Sequence, residues 1–428
     1  MIKKKLFCLL AAILVSASST LVAEKPNVIL IISDDQGFPD YGFMKHEAIK
    51  TPHIDKMAAE GLLYTRGYVM PVCSPSLASL LTGKMPHEHG ITGNDLSKGR
   101  SKNGQREILK KQLLGNSLML PQAVTDAGYA TFQTGKIWNV TYEDVGFTHG
   151  MTDTAGRHGD AGLKIGRQGM KPIYDFIETA QKEEKPFFIW HAPFLPHTPH
   201  NPPKELFKKY EGKGPTKAAE KYYAMVEWFD NTCGELDAYL EKNGLKENTV
   251  ILYLADNGWN GPRPNKPGSK SKLSPYELGI RTPMFVRWPG KVEPHRDDET
   301  LAHILDFTKT IVDMTAAENP GDLPGLNLLD RAALKKRDSV FVEAYNHDIT
   351  DLKAPEKSLI AHVVIDKWWK LIVPTSNTPD RPFADVPEKP ALFHLKSDPL
   401  EKKDVAKENP EVVSRLKKLL KEQWDAGI

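Results

Sequence analysis

The sequence predicts an α/β protein: a large mixed, mostly parallel sheet with helices on both faces, plus a small C-terminal antiparallel sheet covered by a helix. Three observations carry that expectation. Val28–Ile32, Pro186–Trp190 and Val250–Leu254 are short continuous apolar runs, as strands buried on both faces of a parallel sheet require. Amphipathic stretches such as Leu118–Ala127 and Ala218–Leu240 alternate with them, which places helices between strands. The last quarter then changes character. Ser339–Ala344, Leu359–Ile365, Trp368–Val373 and Ala391–Leu395 read as short strands without full helices between them. Only Asp366 and Lys367 separate the second from the third, which is hairpin spacing. Asn409 and Pro410 suit the start of a final helix, along which Val412, Val413, Leu416, Leu419, Leu420 and Trp424 recur at helical spacing.

Met1–Ala23 stands apart from this pattern. Met1–Lys5 is basic, Leu6–Val15 is unbroken apolar, and small residues follow as far as Ala23. Those are the three parts of a secretory signal peptide, and the apolar run is too short to cross a bilayer. The expectation is an exported protein, periplasmic or secreted, with no membrane span. The domain boundaries expected are 1–23 for the signal peptide, 24–338 for the α/β domain and 339–428 for a C-terminal α+β unit. Polar segments rich in Gly and Pro, at Ser97–Gly104, Gly258–Ser274 and Pro374–Pro390, read as surface loops.

Charge and cysteine content exclude several classes. Three of the 57 basic residues, Lys3, Lys4 and Lys5, lie in the leader and none of the 55 acids does, leaving a net charge of −1. Nothing in that balance favours nucleic acid as a partner. Only Cys73 and Cys233 follow the leader. They could form one disulfide, but a disulfide-built scaffold needs many more.

Two of the buried strands end in oxygen ligands. NVILIISDD places Asp34 and Asp35 just past a carboxyl end, and TVILYLADNG places Asp256 and Asn257 at the same point of another strand. Sites in open α/β sheets assemble at strand carboxyl ends. Either pair alone is ordinary turn or cap chemistry. Both together bring three carboxylates to one place, where a hard divalent cation such as Ca²⁺ suits the all-oxygen donor set. Cys73 opens CSPSLASLLTG, where Pro75 and Ser76 suit a helix start. A helix N-terminus stabilises an anion. An isolated Cys is more often a small buried hydrophobe; as a thiol it would be a mild nucleophile or a metal ligand.

The run Cys73–Gly83 resembles the motif of the sulfatase family, formylglycine-dependent enzymes of the alkaline phosphatase superfamily. NVILIISDDQG and LADNG resemble that family's two metal strands. Thr134–Lys136 (TGK), Pro196–Pro199 (PHTP), Lys272–Pro283 and Leu392–Lys402 follow in the family's order, so the resemblance spans nearly the whole chain after the leader. It implies that Cys73 becomes formylglycine through a formylglycine-generating or equivalent maturation enzyme. It also implies that Asp34, Asp35, Asp256, Asn257 and the modified Cys73 bind one Ca²⁺. Lys136 and Lys272 would neutralise the transferring sulfate, and His197 would assist the leaving oxygen. The implied substrate is a sulfate ester, on a sulfated carbohydrate.

The sequence departs from the family at two places. Leu77 stands where the family has Arg, which is used both in maturation and beside the formylglycine. Trp138 and Asn139 stand where it has a His. Two further readings follow: a phosphoryl or phosphonate hydrolase of the same superfamily, and a catalytically silent protein that binds sulfated glycans. Asn257 and Cys73 weigh against the first, since two-zinc members place His and Thr or Ser there. Lys136, His197 and Lys272 weigh against the second. His87, Glu88 and His89 read as the end of the helix after Cys73, and Lys98–Lys111 as a solvated basic loop.

Overall fold

Among the described residues, fourteen strands form three sheets of eight, four and two strands, the two larger ones making the main layers. The computed structural model describes residues 25–97, 102–153, 160–259, 261, 270–318, 321, 323–381, 384–426 and 428. The expected leader at 1–23 and part of the expected basic loop lie outside them. In chain order the strands are β1 (Asn27–Ser33), β2 (Leu62–Tyr68), β3 (Asp95–Leu96), β4 (Ala130–Gly135), β5 (His149–Gly150), β6 (Phe187–Ala192) and β7 (Thr249–Ala255). They continue with β8 (Arg281–Arg287), β9 (His295–His303), β10 (Ser339–Tyr345), β11 (Asp348–Ile349), β12 (Leu359–Asp366), β13 (Trp369–Pro374) and β14 (Ala391–His394).

The large sheet runs β5-β4-β6-β1-β7-β8-β2-β9. Only β8 opposes its neighbours, pairing antiparallel with β7 and β2, while the remaining pairings are parallel. β1 lies at the middle, so its two faces pack into two separate cores. Val28, Leu30 and Ile32 join Leu77, Leu80 and Leu81 of the helix Cys73–Thr82. Ile29 and Ile31 join Ile173, Ile177, Phe229 and Leu236 from the helices Lys171–Lys182 and Lys217–Lys242. Burial on both faces is why the strand reads as a continuous apolar run rather than an alternation.

The second sheet runs β10-β12-β13-β14, all antiparallel. The helix Pro410–Gln423 covers it, seating Leu416 and Leu420 on Val364, Leu371 and Leu392. The hairpin turn falls one residue later than the sequence spacing indicates. Lys367 adopts φ 51° and Trp368 leaves the strand. Trp368 is drawn out because the Arg66 guanidinium lies over its ring at 3.8 Å.

Two further expectations are corrected. Lys102–Leu114 is a helix rather than a solvated loop, because Leu109 and Leu113 fall on one face and bury. The helix after Cys73 ends at Thr82, with Gly83 in the left-handed region at φ 68°. Pro86–His89 is a separate helical turn, with His87 stacked on Trp424 at 4.4 Å and His89 Nε2 3.1 Å from Ser79 Oγ. Cys73 and Cys233 are both free and buried.

Two contacts join the layers near the sheet's carboxyl ends. β3 and β11 pair in parallel, Asp95 opposite Asp348. The buried Lys370 ammonium lies between Glu277 at 3.1 Å and Glu401 at 2.8 Å.

Candidate active site

β1 and β7 are hydrogen-bonded neighbours in register, Ser33 opposite Ala255. The residues that follow them therefore leave the sheet side by side. Asp35 N donates to Asp256 Oδ1 at 3.0 Å, and Asn257 Nδ2 donates to Asp35 Oδ1 at 2.8 Å. Asn257 Nδ2 also donates to Gly258 O at 2.9 Å, which leaves its Oδ1 free of donors. Gly258 admits the approach of the next loop, since a Cβ there would lie 1.7 Å from Leu278 O.

Lys136 is delivered by β4. Gly135 has φ +73°, and a Cβ would stand 1.9 Å from Ala192 O, so a side chain is excluded where the backbone turns toward the site. Lys136 Nζ then donates to Asp34 Oδ1 at 2.7 Å and lies 3.6 Å from Asp256 Oδ2. Lys272 arrives on the loop before the turn Glu277–Ile280. Its backbone N donates to Trp259 O at 3.1 Å, and Leu273 N donates to Pro71 O at 2.9 Å, which ties the loop to the segment leading into Cys73. The Lys272 ammonium pairs with Asp35.

His197 lies on the loop after β6, between the cis peptides Leu195–Pro196 and Thr198–Pro199. Its ring stacks on Phe194 at 4.2 Å, and Nε2 is 3.5 Å from Asp35 Oδ2. Arg167 holds this loop, donating to the carbonyl oxygens of Phe194 at 2.8 Å and His197 at 3.0 Å. Cys73 is the first residue of its helix and is 2% exposed. Leu77, one turn on, is buried in the apolar core and offers no polar group to residue 73. Trp138 and Asn139 meet Ser74 and Leu77 around a small cavity beside that helix.

The electrostatics follow from burial of unlike charges. Burial raises Asp34 despite the Lys136 ammonium, and burial together with Asp34 raises Asp256 to about 7. Burial also acts upward on Asp35, but Lys272, His197 and Lys136 outweigh it and hold that carboxyl below its usual range. Burial would lower Lys136, but Asp34, Cys73 and Asp256 keep it well above the ordinary lysine value. Burial draws His197 down to about 4.

Asp34 Oδ2, Asp256 Oδ2 and Asn257 Oδ1 are buried without hydrogen-bond partners. Asp34, Asp35 and His197 each bring a ligand atom to within 4.8 Å of the others. Buried orphan oxygens of this kind carry a desolvation cost that a cation removes. The donor set of carboxylate and amide oxygens fits a hard divalent ion. The structure thus brings together the residues singled out on separate stretches of sequence: Asp34, Asp35, Lys136, His197, Asp256, Asn257 and Lys272. Cys73 lies beside them, close enough to act electrostatically on both lysines. Sequence reasoning missed Arg167, Asn94 and His347. Asn94 meets His347 from 253 positions away, a separation with no local pattern to reveal it.

An α/β sheet with acids at its central carboxyl ends, two buried lysines and a residue at a helix N-terminus defines a class built to handle oxyanions. The chain belongs to the sulfatase family, whose model matches residues 26–317. A second model, N-sulphoglucosamine sulphohydrolase, C-terminal, matches residues 270–426. The N-acetylgalactosamine-6-sulfatase of Canis lupus familiaris is 26% identical over 72% of this chain, which spans 66% of that protein's length. The ulvan-active sulfatase of Formosa agariphila is 26% identical over 95% of this chain and 80% of its own. The structure of Ps i-CgsB in complex with k-i-k-neocarrahexaose superposes with a TM-score of 0.73 at 23% identity, covering 94% of this chain and 93% of that one. Among the described residues no helix is long and apolar enough to cross a membrane.

Proposed function

We propose that the protein hydrolyses sulfate esters of a sulfated carbohydrate, with residue 73 as the nucleophile and one Ca²⁺ held by Asp34, Asp35, Asp256 and Asn257. The observation that carries this reading is the set of orphan buried oxygens on Asp34, Asp256 and Asn257, ringed by Lys136, Lys272 and His197. Counting charge separates a monoanionic ester, such as a sulfate monoester, from a dianionic phosphate monoester. Three carboxylates and two ammonium groups leave −1, a divalent cation makes +1, and a sulfate monoester anion brings the site to neutrality. A phosphate monoester dianion would overshoot.

Calcium and a formylglycine made from Cys73 would supply, respectively, Lewis-acid polarisation of the sulfate oxygens and a hydrated aldehyde hydroxyl as nucleophile. The chain's own residues do the rest. The helix N-terminus at Cys73 favours negative charge on the attacking group. Lys136 and Lys272 neutralise sulfate oxygens where water is excluded. His197 Nδ1 is engaged with Thr198 O at 2.7 Å, and Nε2, 3.5 Å from Asp35 Oδ2, is the nitrogen turned toward the site. Burial keeps the ring neutral in the empty site, and the bound sulfate anion restores its affinity for a proton. That proton goes to the alcohol oxygen as its bond to sulfur breaks. The net result is addition of water across the S–O bond, giving alcohol, sulfate and one proton.

The carbohydrate is supported by the names of the relatives and by the oligosaccharide in the Ps i-CgsB complex. Export through the leader at 1–23, to the periplasm or the medium, and maturation by a formylglycine-generating or equivalent enzyme belong to the same reading. The test is the state of Cys73 in protein from its native host. Trypsin should release Gly67–Lys84 with CH₂SH replaced by CHO. An intact thiol in every preparation would overturn the catalytic reading in favour of a glycan-binding protein.

A further inference from the structure

Asn94 immediately precedes β3 and is 5% exposed, packed against the start of the nucleophile helix. Its Oδ1 accepts from Ser74 N at 3.2 Å, and Cys73 Sγ lies 3.6 Å from the same oxygen. Its Nδ2 faces His347 Nε2 at 3.2 Å. His347 Nδ1 in turn lies 2.6 Å from Asp348 Oδ1, with Arg381 Nη2 at 3.2 Å. The pairing of β11 with β3 brings the two sides together.

The Ser74 and Asp348 contacts agree on one hydrogen placement. The Ser74 N–H can only donate, so the Asn94 atom facing it must be the carbonyl oxygen. Nδ2 then donates toward His347, which requires a bare Nε2. A bare Nε2 on a neutral ring puts the proton on Nδ1, where the Asp348 carboxylate stands at 2.6 Å to accept it. Arg381 Nη2, a donor 3.2 Å from the same nitrogen, favours the other tautomer and is the longer contact. The opposite tautomer would set a nitrogen lone pair against carboxylate lone pairs. Asp348 favours this His347 tautomer, Ser74 N–H and His347 together hold the Asn94 amide in one orientation, and Asn94 presents an acceptor to residue 73. Leu77 supplies nothing polar on the other side.

We propose that Asn94 is a catalytic residue that orients the nucleophile at 73 through its carbonyl oxygen. His347 and Asp348 are then positioning residues that lock the Asn94 amide. Here Sγ stands in for the hydroxyl of the matured nucleophile. Its hydrogen points at Asn94 Oδ1, which directs the oxygen's lone pairs elsewhere. The catalytic consequence rests on the sulfatase reading; the hydrogen-bond line itself does not.

The test therefore has two arms. In protein whose Cys73 remains a thiol, iodoacetamide alkylation is followed by mass spectrometry of the Gly67–Lys84 peptide. Asn94 Oδ1 engages the S–H and holds the sulfur in one orientation, so Asn94→Ala, which releases the sulfur and opens space beside it, should speed alkylation at pH 7 by about threefold or more. His347→Ala, which removes the acceptor of Nδ2 and loosens the amide, should act in the same direction. His347→Gln keeps an acceptor for Nδ2 and should stay within about twofold of the parent. In matured protein of equal aldehyde content, Asn94→Ala should lower kcat about tenfold or more with KM within about threefold. The Asn94→Ala/His347→Ala double variant should be no worse than Asn94→Ala alone. Unchanged alkylation in both single variants overturns the proposal, as does a loss confined to KM or losses that multiply in the double variant. If Asn94→Ala fails to fold, the contrast between His347→Ala and His347→Gln decides. Matured parent protein inert on every sulfate ester would sink the sulfatase reading, and the alkylation arm would still decide the role of Asn94.

Discussion

Lys136 donates to Asp34 at 2.7 Å, and neither side chain is more than 3% exposed. In this pair a lysine occupies part of the charge demand that a bound cation would otherwise meet alone. Removing one partner of a buried pair typically costs about 3–5 kcal/mol because the other is left uncompensated. Lys136→Met should therefore lower the melting temperature sharply in chelator. Calcium should recover more of that loss than it adds to the parent protein. A melting temperature in chelator equal to the parent's would contradict the pairing.

Asp256 lies between Asp35 N and Lys136, and its Oδ2 accepts no hydrogen bond. Asp256→Ala should abolish calcium binding and sulfate-ester hydrolysis together, and chelation should cease to shift its melting temperature. Calcium bound only by the native state stabilises in proportion to the logarithm of its concentration over Kd. Metal analysis of the parent should give one calcium per chain. Two zinc ions would move the assignment to the phosphohydrolases.

His197 presents Nε2 beside Asp35, and its role is separable by leaving group. A sugar alkoxide needs a proton to depart; a nitrophenolate does not. General-acid assistance is commonly worth about 10²–10⁴-fold where departure is difficult. His197→Ala should cripple hydrolysis of sugar sulfates while sparing much of the activity on 4-nitrophenyl sulfate. Lys272→Ala should damage both alike, since it removes charge from the sulfate itself. Equal losses on both substrates for His197→Ala would reduce that residue to sulfate binding.

Glu401 provides a pH dependence of stability through the buried charge cluster around Lys370. It shares the buried Lys370 with Glu277, and burial raises it to about 7 even though Lys370 pulls the other way. One ammonium serves two carboxylates, so one proton is retained. The folded value lies above the unfolded one, so this contribution is complete below the unfolded value and is lost as pH rises through about 7. It amounts to at most about 3 kcal/mol. Glu401→Gln should flatten this part of the stability profile, as read by denaturant unfolding from pH 5 to 8. An unchanged slope would show that Glu401 is ionised throughout.

Much of this molecule is legible locally. β1, β6 and β7 appear in the sequence as apolar runs because their side chains are buried on both faces. DD after one run and DN after another mark the carboxyl ends that register then places together. The hairpin at Lys367 is legible too, but its position shifts by one residue. Arg66, some 300 positions earlier, takes Trp368 for a cation–π contact that local spacing cannot encode. The basic stretch is misread for a related reason, since its few apolar residues fall on a face whose burial depends on the core it meets.

The sequence by itself determined the α/β class, a large mostly parallel sheet with a small C-terminal antiparallel one, and the chemical types at the site, because strand burial and strand-end motifs are written in consecutive residues. Tertiary structure alone decided which charges pair. Asp34 finds Lys136 from 102 positions away, Asp35 finds Lys272 from 237, and Asn94 finds His347 from 253. Those choices set which buried oxygens remain without a hydrogen-bond partner and which way an amide faces residue 73. They are energies of desolvated groups at a few ångströms, and they exist only once the sheet has brought the strand ends together.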